Sequence, residues 1–171
     1  EGVGANAGQY LSQMRKDEYA QMAGHDINYI AISGALNMIS GGVGRGDGRP
    51  HPPINMLGDF AGGGMLCAMG VLLALIERGS SNKGQVVDSA MVDGAAHLSS
   101  FIWGFRDMGA WREPPGTNLL DGGAPFYDTY ACMEDTAGAH KGERGYMAVG
   151  AIEPQFFAEL IEGLGLSDDD A

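Results

Sequence analysis

The sequence predicts an α/β chain that begins with helices and ends with a strand pair and one further helix. Apolar residues recur at helical spacing in three segments, residues 26–37, 61–78 and 86–105. Two later segments, residues 126–132 and 146–152, alternate in polarity and are rich in Tyr, Phe and Val, which is typical of strands. Residues 111–125 carry three prolines and three glycines, and we interpret them as a linker between two subdomains.

The second helix is the most apolar part of the chain. Residues 60–76 carry no charge and include four glycines, and Asp59 and Glu77 flank them directly. This run is slightly short for a membrane-spanning helix, which needs about 20 apolar residues. We therefore predict a buried core helix over residues 61–78 and no membrane span.

Turn and cap signals place the remaining elements. Residues 1–18 are polar and Gly-rich and are predicted to be loop. Residues 40–53 are also predicted to be loop, because their prolines stand where a dinucleotide-binding fingerprint needs a helix. The third helix is expected to be continuous over residues 86–105. The polar residues 133–145 are expected to join the two strands, and Pro154 to open the last helix.

Charge and cysteine content argue against several functions. Ten Lys and Arg stand against 22 Asp and Glu, and the formal charge of −12 disfavours binding to nucleic acid or to an anionic membrane. Cys67 and Cys132 form no CxxC pair and no ligand spacing with the four histidines, which predicts a reducing compartment and no metal site. The expected location is the cytoplasm, or a peroxisome or mitochondrion in a eukaryote. A start without Met and an end just after SDDD suggest a fragment.

Three polar positions, His25, Glu153 and Asp59, are candidates for chemistry. His25 directly precedes a predicted helix start, where its ring can reach a ligand, although a surface cap histidine explains the position by itself. Asp26 lies in the first turn of that helix, where the dipole favours a carboxylate. Glu153 stands at a strand end before Pro154, and taken alone it is better explained as a plain helix-start residue.

Asp59 is the third candidate position, at the predicted start of the second helix and ahead of Gly62, Gly63 and Gly64. Asp is a good N-cap residue, and glycines permit close helix packing. Three glycines in a first turn nevertheless weaken a helix by about 0.5–1 kcal/mol each relative to alanine. We therefore predict that these glycines make room for a ligand beside exposed N–H groups, which could also hold a developing oxyanion.

Five motifs occur in a fixed order between about Tyr19 and Leu166: AGHDINYIAISG, INMLGDFAGGG, KGQVVDSAMVDG, NLLDGGAPFYDTY and YMAVGAIEPQFF. This series resembles the α-methylacyl-CoA racemase branch of the type III CoA-transferase superfamily. The resemblance implies part of that fold's large α/β domain in residues 1–112, of which residues 1–18 match poorly. It further implies a linker over residues 113–125 and the start of the smaller α+β domain over residues 126–171.

The resemblance also implies a reaction, a 1,1-proton transfer at the carbon next to a CoA thioester. Such a transfer interconverts R and S 2-methylacyl-CoA epimers through an enolate. By matching motif, His25 and Asp59 would be the two bases, Glu153 would bind the histidine, and Asn55 would support the aspartate. The implied substrate contacts are Gly24, Asp26, Ile27, Asn28, Tyr29, Gly62 and Gly63. The family forms interlocked homodimers, and no cofactor is implied because CoA is part of the acyl-CoA substrate.

Two alternatives remain open on the sequence. In related CoA-transferases an aspartate that matches Asp59 is a nucleophile and forms a mixed anhydride with the acyl group. Those transferases often carry a run of glycines ending in Gln, and no such run follows Asn118 here. The other alternative is an inactive fragment that at most binds a partner chain.

Overall fold

The computed structural model describes residues 23–39, 49–137 and 141–166. The predicted loop over residues 1–18 lies outside the described residues, as does most of the predicted loop over residues 40–53. The described residues form two compact units: residues 23–39 and 50–111 belong to the first, and Arg49 with residues 112–137 and 141–166 to the second.

The first unit is helical. Its elements are α1 (Asp26–Ile32), α2 (Ala35–Met38), a π-helix (Met56–Met65), α3 (Leu66–Ser81), α4 (Met91–Leu98) and α5 (Ser100–Asp107). The helix predicted over residues 26–37 is thus two short helices. They separate at Gly34, whose φ of 83° is a left-handed conformation that glycine adopts without steric cost.

The second predicted helix is longer than expected, and its first part is a π-helix whereas the rest is an α-helix. It begins at Met56 as ten residues of π-helix and continues as α3, and Asn82 ends it in a left-handed conformation. The π-helical part is buried at Gly58, Gly62 and Gly63, whereas α3 has no buried residue. The prediction of a buried core helix is therefore wrong for α3, whose residues are at most partly buried among the described residues.

Backbone contact between the π-helix and α4 forms the centre of this unit. A Cβ on Gly62 would lie 2.8 Å from the Ala95 nitrogen, and a Cβ on Gly94 would overlap the Gly62 carbonyl. Ile30, Ala35 and Ala95 form the buried apolar cluster beside this contact, with Leu36 and Leu57 packed against them. Two helices can approach this closely only where both carry glycine at the crossing.

The third predicted helix, over residues 86–105, is wrong in two respects. Residues 86–90 are not helical, and α4 begins only at Met91 after Ala90 in extended conformation. The helix then breaks at Ser99, whose ψ of 0° lies outside the helical range, so that α5 starts anew at Ser100. The apolar spacing continues through this break, which is why periodicity did not indicate it.

The second unit pairs an antiparallel hairpin with a helix. β1 (Tyr127–Ala131) and β2 (Tyr146–Gly150) pair in the register Tyr127 to Gly150 and Ala131 to Tyr146. α6 (Pro154–Leu164) begins with the predicted proline and ends at Gly165. An apolar groove of about 480 Å³ lies between hairpin and helix, lined in part by Tyr130, Met147, Val149, Leu160 and Leu164.

The segment predicted to be a linker is an ordered turn built around one buried amide. The Asn118 side chain accepts from the Arg112 N–H at 2.6 Å and donates to the Arg112 carbonyl at 3.0 Å. Asp121 accepts from the N–H groups of Gly116 and Asn118, both at 2.7 Å. These bonds fix the path of residues 112–121, so this segment is more than a flexible connection.

One stretch of the described residues, Met56–Ser81, is long and apolar enough to cross a membrane by length and composition alone. The core helix of a soluble protein passes the same test. The three buried glycines in its π-helical half show that this half packs against protein.

Candidate active site

His25 stands where the sequence placed it, as the residue that precedes the first turn of α1. Its backbone is extended, with φ −122° and ψ 173°, and its side chain is exposed. Its N–H donates to the Asn28 side-chain oxygen at 3.0 Å, which fixes the backbone on which the imidazole stands. Tyr29 is buried and its ring covers Gly24, where a Cβ would lie 2.8 Å from the Tyr29 hydroxyl. The imidazole is therefore an exposed group on a fixed backbone.

Asp59 is a half-buried residue in the first turn of the π-helix. Its Oδ2 accepts a hydrogen bond of 2.8 Å from the Asn55 side-chain amide. Asn55 precedes the helix in a left-handed conformation, with φ 58°. This conformation is accessible to Asn at low cost and turns its amide toward the carboxylate four residues later. The pairing that the resemblance implied for these two side chains is thus present.

Asp26 is buried, and its role differs from the one expected. Its side chain is 1% exposed. Its Oδ2 accepts hydrogen bonds from the N–H of Gly58 at 2.6 Å and from the N–H of Asp59 at 2.8 Å. The Asp26 carboxylate therefore caps the π-helix. The prediction that N–H groups at Asp59 are exposed for a ligand is corrected, because this carboxylate already accepts from them.

Gly62 and Gly63 also differ from expectation. Both are buried against α4, and a Cβ on Gly63 would lie 2.8 Å from the Met91 Cγ. The space that was predicted to receive a ligand is filled by α4, so close helix packing accounts for both glycines. Gly64, the third of the run, is exposed.

Of the other predicted substrate contacts, Gly24 is half-buried and Tyr29 is buried, at 7% exposure, so the Tyr29 side chain does not offer the surface that was expected. Ile27 and Asn28 are exposed on α1, beside His25. Glu153 is exposed in the second unit, where it precedes the first residue of α6 with an extended backbone. No group of three or more His, Cys, Asp or Glu side chains suited to a metal occurs within residues 23–39, 49–137 and 141–166.

Three features of the site were missed by sequence reasoning. Gly58 lies directly against Asp26, since a Cβ there would be 2.6 Å from the Asp26 Oδ2. Gly94 forms the other side of the helix crossing. The Asp26 carboxylate caps the N–H groups of Gly58 and Asp59, which follow it by 32 and 33 positions in the chain. The sequence shows the glycines at positions 58 and 94, but the groups that they pack against could be identified only from the fold.

The first unit thus connects an imidazole and a carboxylate through a single buried side chain. His25 is exposed, Asp59 is half-buried and bound by an amide, and Asp26, next to His25 in the chain, holds the Asp59 backbone. An imidazole and a carboxylate on fixed backbones can serve as an acid and a base toward one bound carbon acid. The carboxylate is also suited to nucleophilic attack on a thioester.

Comparison with known proteins defines the class. The model of CoA-transferase family III matches residues 12–171, and the chain belongs to that family. Over 152 residues the chain is 53% identical to α-methylacyl-CoA racemase of Mus musculus and 51% identical to that of Homo sapiens, covering 89% of this chain in each case. It is 39% identical to a CaiB/baiF CoA-transferase family protein of Caenorhabditis elegans over 88% of its length.

The chain spans 36% of the length of the two racemases and 41% of the nematode protein. Among solved structures, Rv3272 from Mycobacterium tuberculosis is similar in its orthorhombic form, with a TM-score of 0.62 over 92% of this chain and 36% of that one. The identity is 21%, so this likeness shows the fold alone. The predicted type III CoA-transferase fold is confirmed.

Proposed function

We propose that the protein at its full natural length is a racemase that interconverts R and S 2-methylacyl-CoA thioesters. The observation that carries this proposal is the Asn55–Asp59 hydrogen bond next to the His25 segment, in a chain 51–53% identical to α-methylacyl-CoA racemases. The reaction inverts one carbon through a planar enolate, and such an inversion needs a base on one face and an acid on the other. His25 and Asp59 supply these two groups.

The two proposed bases are held differently, which suits opposite tasks. Asn55 donates a hydrogen bond to the Asp59 carboxylate and so fixes its orientation. His25 is exposed at a helix start, where its ring can both accept and return a proton. The enolate oxygen needs a hydrogen-bond donor of its own. The N–H groups of Gly58 and Asp59 do not fill this role, since both donate to Asp26.

Incubation of the full-length protein with one pure 2-methylacyl-CoA epimer in heavy water tests the proposal. We expect deuterium at the α-carbon and a drift of the epimer ratio toward equality. A folded protein that catalyses neither change would rule out the racemase. Added metal chelator should leave both rates unchanged, since we propose neither a metal nor a cofactor.

Glu153 is proposed to hydrogen-bond the His25 imidazole and to fix its orientation. This role rests on the family resemblance. Glu153 is exposed directly before α6, so its carboxylate is accessible to a partner. Glu153→Gln should slow exchange of the epimer whose proton His25 removes by about tenfold or more, since a bond to a charged group contributes about 1.5–3 kcal/mol. Equal slowing of both epimers would argue against a pairing with His25.

A second function, transfer of CoA between carboxylic acids, has specific support in the family itself. The C. elegans relative is a CoA-transferase family protein, and a half-buried aspartate held by an amide suits covalent catalysis as well as proton transfer. A racemase leaves the thioester bond intact, whereas a transferase exchanges the acyl group. Incorporation of a labelled free acid into the CoA thioester would therefore favour the transferase.

The interlocked homodimer is likewise a proposal, and sedimentation velocity of the full-length protein tests it. The exposed apolar side chains of α3, among them Leu72 and Ile76, give it indirect support because a large uncovered apolar surface is rare in monomers.

The charge of −12 supports the proposed lack of nucleic-acid binding. Cytoplasmic location and the absence of membrane binding are proposed on the sequence alone.

A further inference from the structure

The carboxylate of Asp26 connects the two segments that carry the proposed bases. Asp26 follows His25 in the chain and is the first residue of α1. Its Oδ2 is bound to the backbone N–H of Asp59 itself, at 2.8 Å, and to that of Gly58 at 2.6 Å. One buried side chain therefore joins the backbone of the imidazole segment to the backbone of the carboxylate segment.

This connection replaces a local cap that the π-helix lacks. The first N–H groups of a helix have no acceptor within the helix. Asn55, the residue that precedes the π-helix, makes no capping bond with its side chain, which is directed to the Asp59 carboxylate instead. Asp26 supplies the acceptor from 32 and 33 residues away, and its negative charge lies at the positive end of the helix dipole.

The fit around this carboxylate is close. A Cβ at position 58 would lie 2.6 Å from the Asp26 Oδ2 and 3.2 Å from the Ile30 Cγ2. Only glycine at that position lets the carboxylate reach both N–H groups. The side chain is 1% exposed, and the only hydrogen bonds of its Oδ2 among the described residues are the two to the π-helix. Its other oxygen, Oδ1, is buried and has no hydrogen-bond partner among the described residues, so Oδ2 alone holds the side chain in place.

We infer that Asp26 is a positioning residue that sets the spacing of His25 and Asp59, and that its carboxylate does not contact the acyl-CoA. This inference rests on the proposed racemase. Two-face proton transfer requires both bases within hydrogen-bond reach of one carbon, and a displacement of about 1 Å can cost about 10² in rate. Asn55 orients the side chain of Asp59, and Asp26 fixes its backbone.

Steady-state kinetics of the full-length protein with each pure 2-methylacyl-CoA epimer tests the inference. Asp26→Ala should lower kcat by about 10²-fold for both epimers, with KM changed by less than about threefold, because both bases lose their spacing. Asp26→Asn preserves the shape of the side chain and one acceptor oxygen, and its kcat should be about tenfold higher than that of Asp26→Ala. Asp93→Asn removes an exposed carboxylate from the first turn of α4 and is the matched control, expected to match wild type.

Amide hydrogen exchange supplies a readout that does not depend on turnover. In Asp26→Ala the N–H groups of Gly58 and Asp59 should lose protection by at least tenfold, while the amides of α4 keep theirs. Loss of protection throughout the unit, with kcat per folded molecule unchanged, would mean that Asp26 only stabilises the fold and would overturn the inference. A raised KM with unchanged kcat would also overturn it, by making Asp26 a substrate contact.

The wild-type protein distinguishes failure of the inference from failure of the proposed function. Wild-type exchange of the α-proton together with full activity in Asp26→Ala would refute the inference alone. No exchange by folded wild-type protein would refute the racemase, and the positioning role with it.

Discussion

The two halves of the helical stretch Met56–Ser81 are both apolar, but they differ in burial. Both are apolar, yet the π-helical half buries three glycines and the α-helical half buries nothing. Hydropathy therefore did not distinguish them. In the π-helical half the buried residues are glycines, which let another backbone approach, whereas large apolar residues such as Phe60 in this half and Leu72 in α3 are exposed.

The difference matters because Asp59 lies in the buried half. There Asn55 binds its carboxylate and Asp26 binds its backbone N–H, and the contact of Gly62 with Gly94 holds the helix that carries it. A side chain on α3 has no comparable set of fixed neighbours among the described residues. The comparison indicates that the glycines are required for the helix crossing that positions Asp59.

The largest change in stability that tests this difference between the two halves is expected from a substitution at Gly94. Gly94→Ala places a Cβ over the Gly62 carbonyl and should lower the free energy of unfolding by about 3 kcal/mol, at the upper end for overpacking. Gly79→Ala is the matched control in α3, where a Cβ meets nothing within 4 Å. It should raise the free energy of unfolding by up to about 1 kcal/mol, because alanine is the better helix former.

Chemical denaturation of both variants measures these changes. Equal effects of the two substitutions would break the comparison. A destabilised Gly79→Ala would mean that another surface covers α3 in solution.

A smaller effect is expected at Asn55, on the exposed side of the same site. Asn55→Gly keeps the left-handed backbone and removes the amide that binds Asp59. Proton exchange on the Asp59 face should fall about tenfold, as expected for a hydrogen bond to a charged group. The melting temperature should change little. Exchange equal to wild type would show that Asp59 does not need this amide.

The smallest effect is expected on α3. Leu72→Gln replaces a side chain that is 62% exposed, and should change the free energy of unfolding of this chain by less than about 0.5 kcal/mol. Thermal unfolding checks this value. A loss above about 1.5 kcal/mol would mean that Leu72 is buried in solution and would weaken the contrast between the two halves.

Local signals in the sequence predicted much of the structure. Alternation and β-branched or aromatic residues located both strands within two residues, and Pro154 marked the start of α6. His25 was expected before a helix start and is found there. The resemblance further implied the pairing of Asn55 with Asp59, which is present. These features depend on residues close together in the chain.

Features that depend on distant residues were not predicted. Asp26 was predicted as a substrate contact from the family resemblance, and its hydrogen bonds to residues 32 and 33 positions away could not be identified from the sequence. The burial of Gly62 against Ala95 has the same origin. The apolarity of α3 predicted a buried helix, whereas none of its residues is buried among the described residues. The break at Ser99 leaves the apolar spacing intact, so the periodicity of the sequence did not predict it.

Exchange of the α-proton with solvent, measured for each pure epimer of a 2-methylacyl-CoA, tests the two-base account most directly. His25→Ala should abolish exchange from one epimer while retaining a measurable rate from the other, and Asp59→Ala should show the opposite preference. Each loss should be about 10²–10⁴-fold, the usual contribution of a positioned acid or base. Equal loss for both epimers in both folded variants would contradict the account, because one base would then serve both faces.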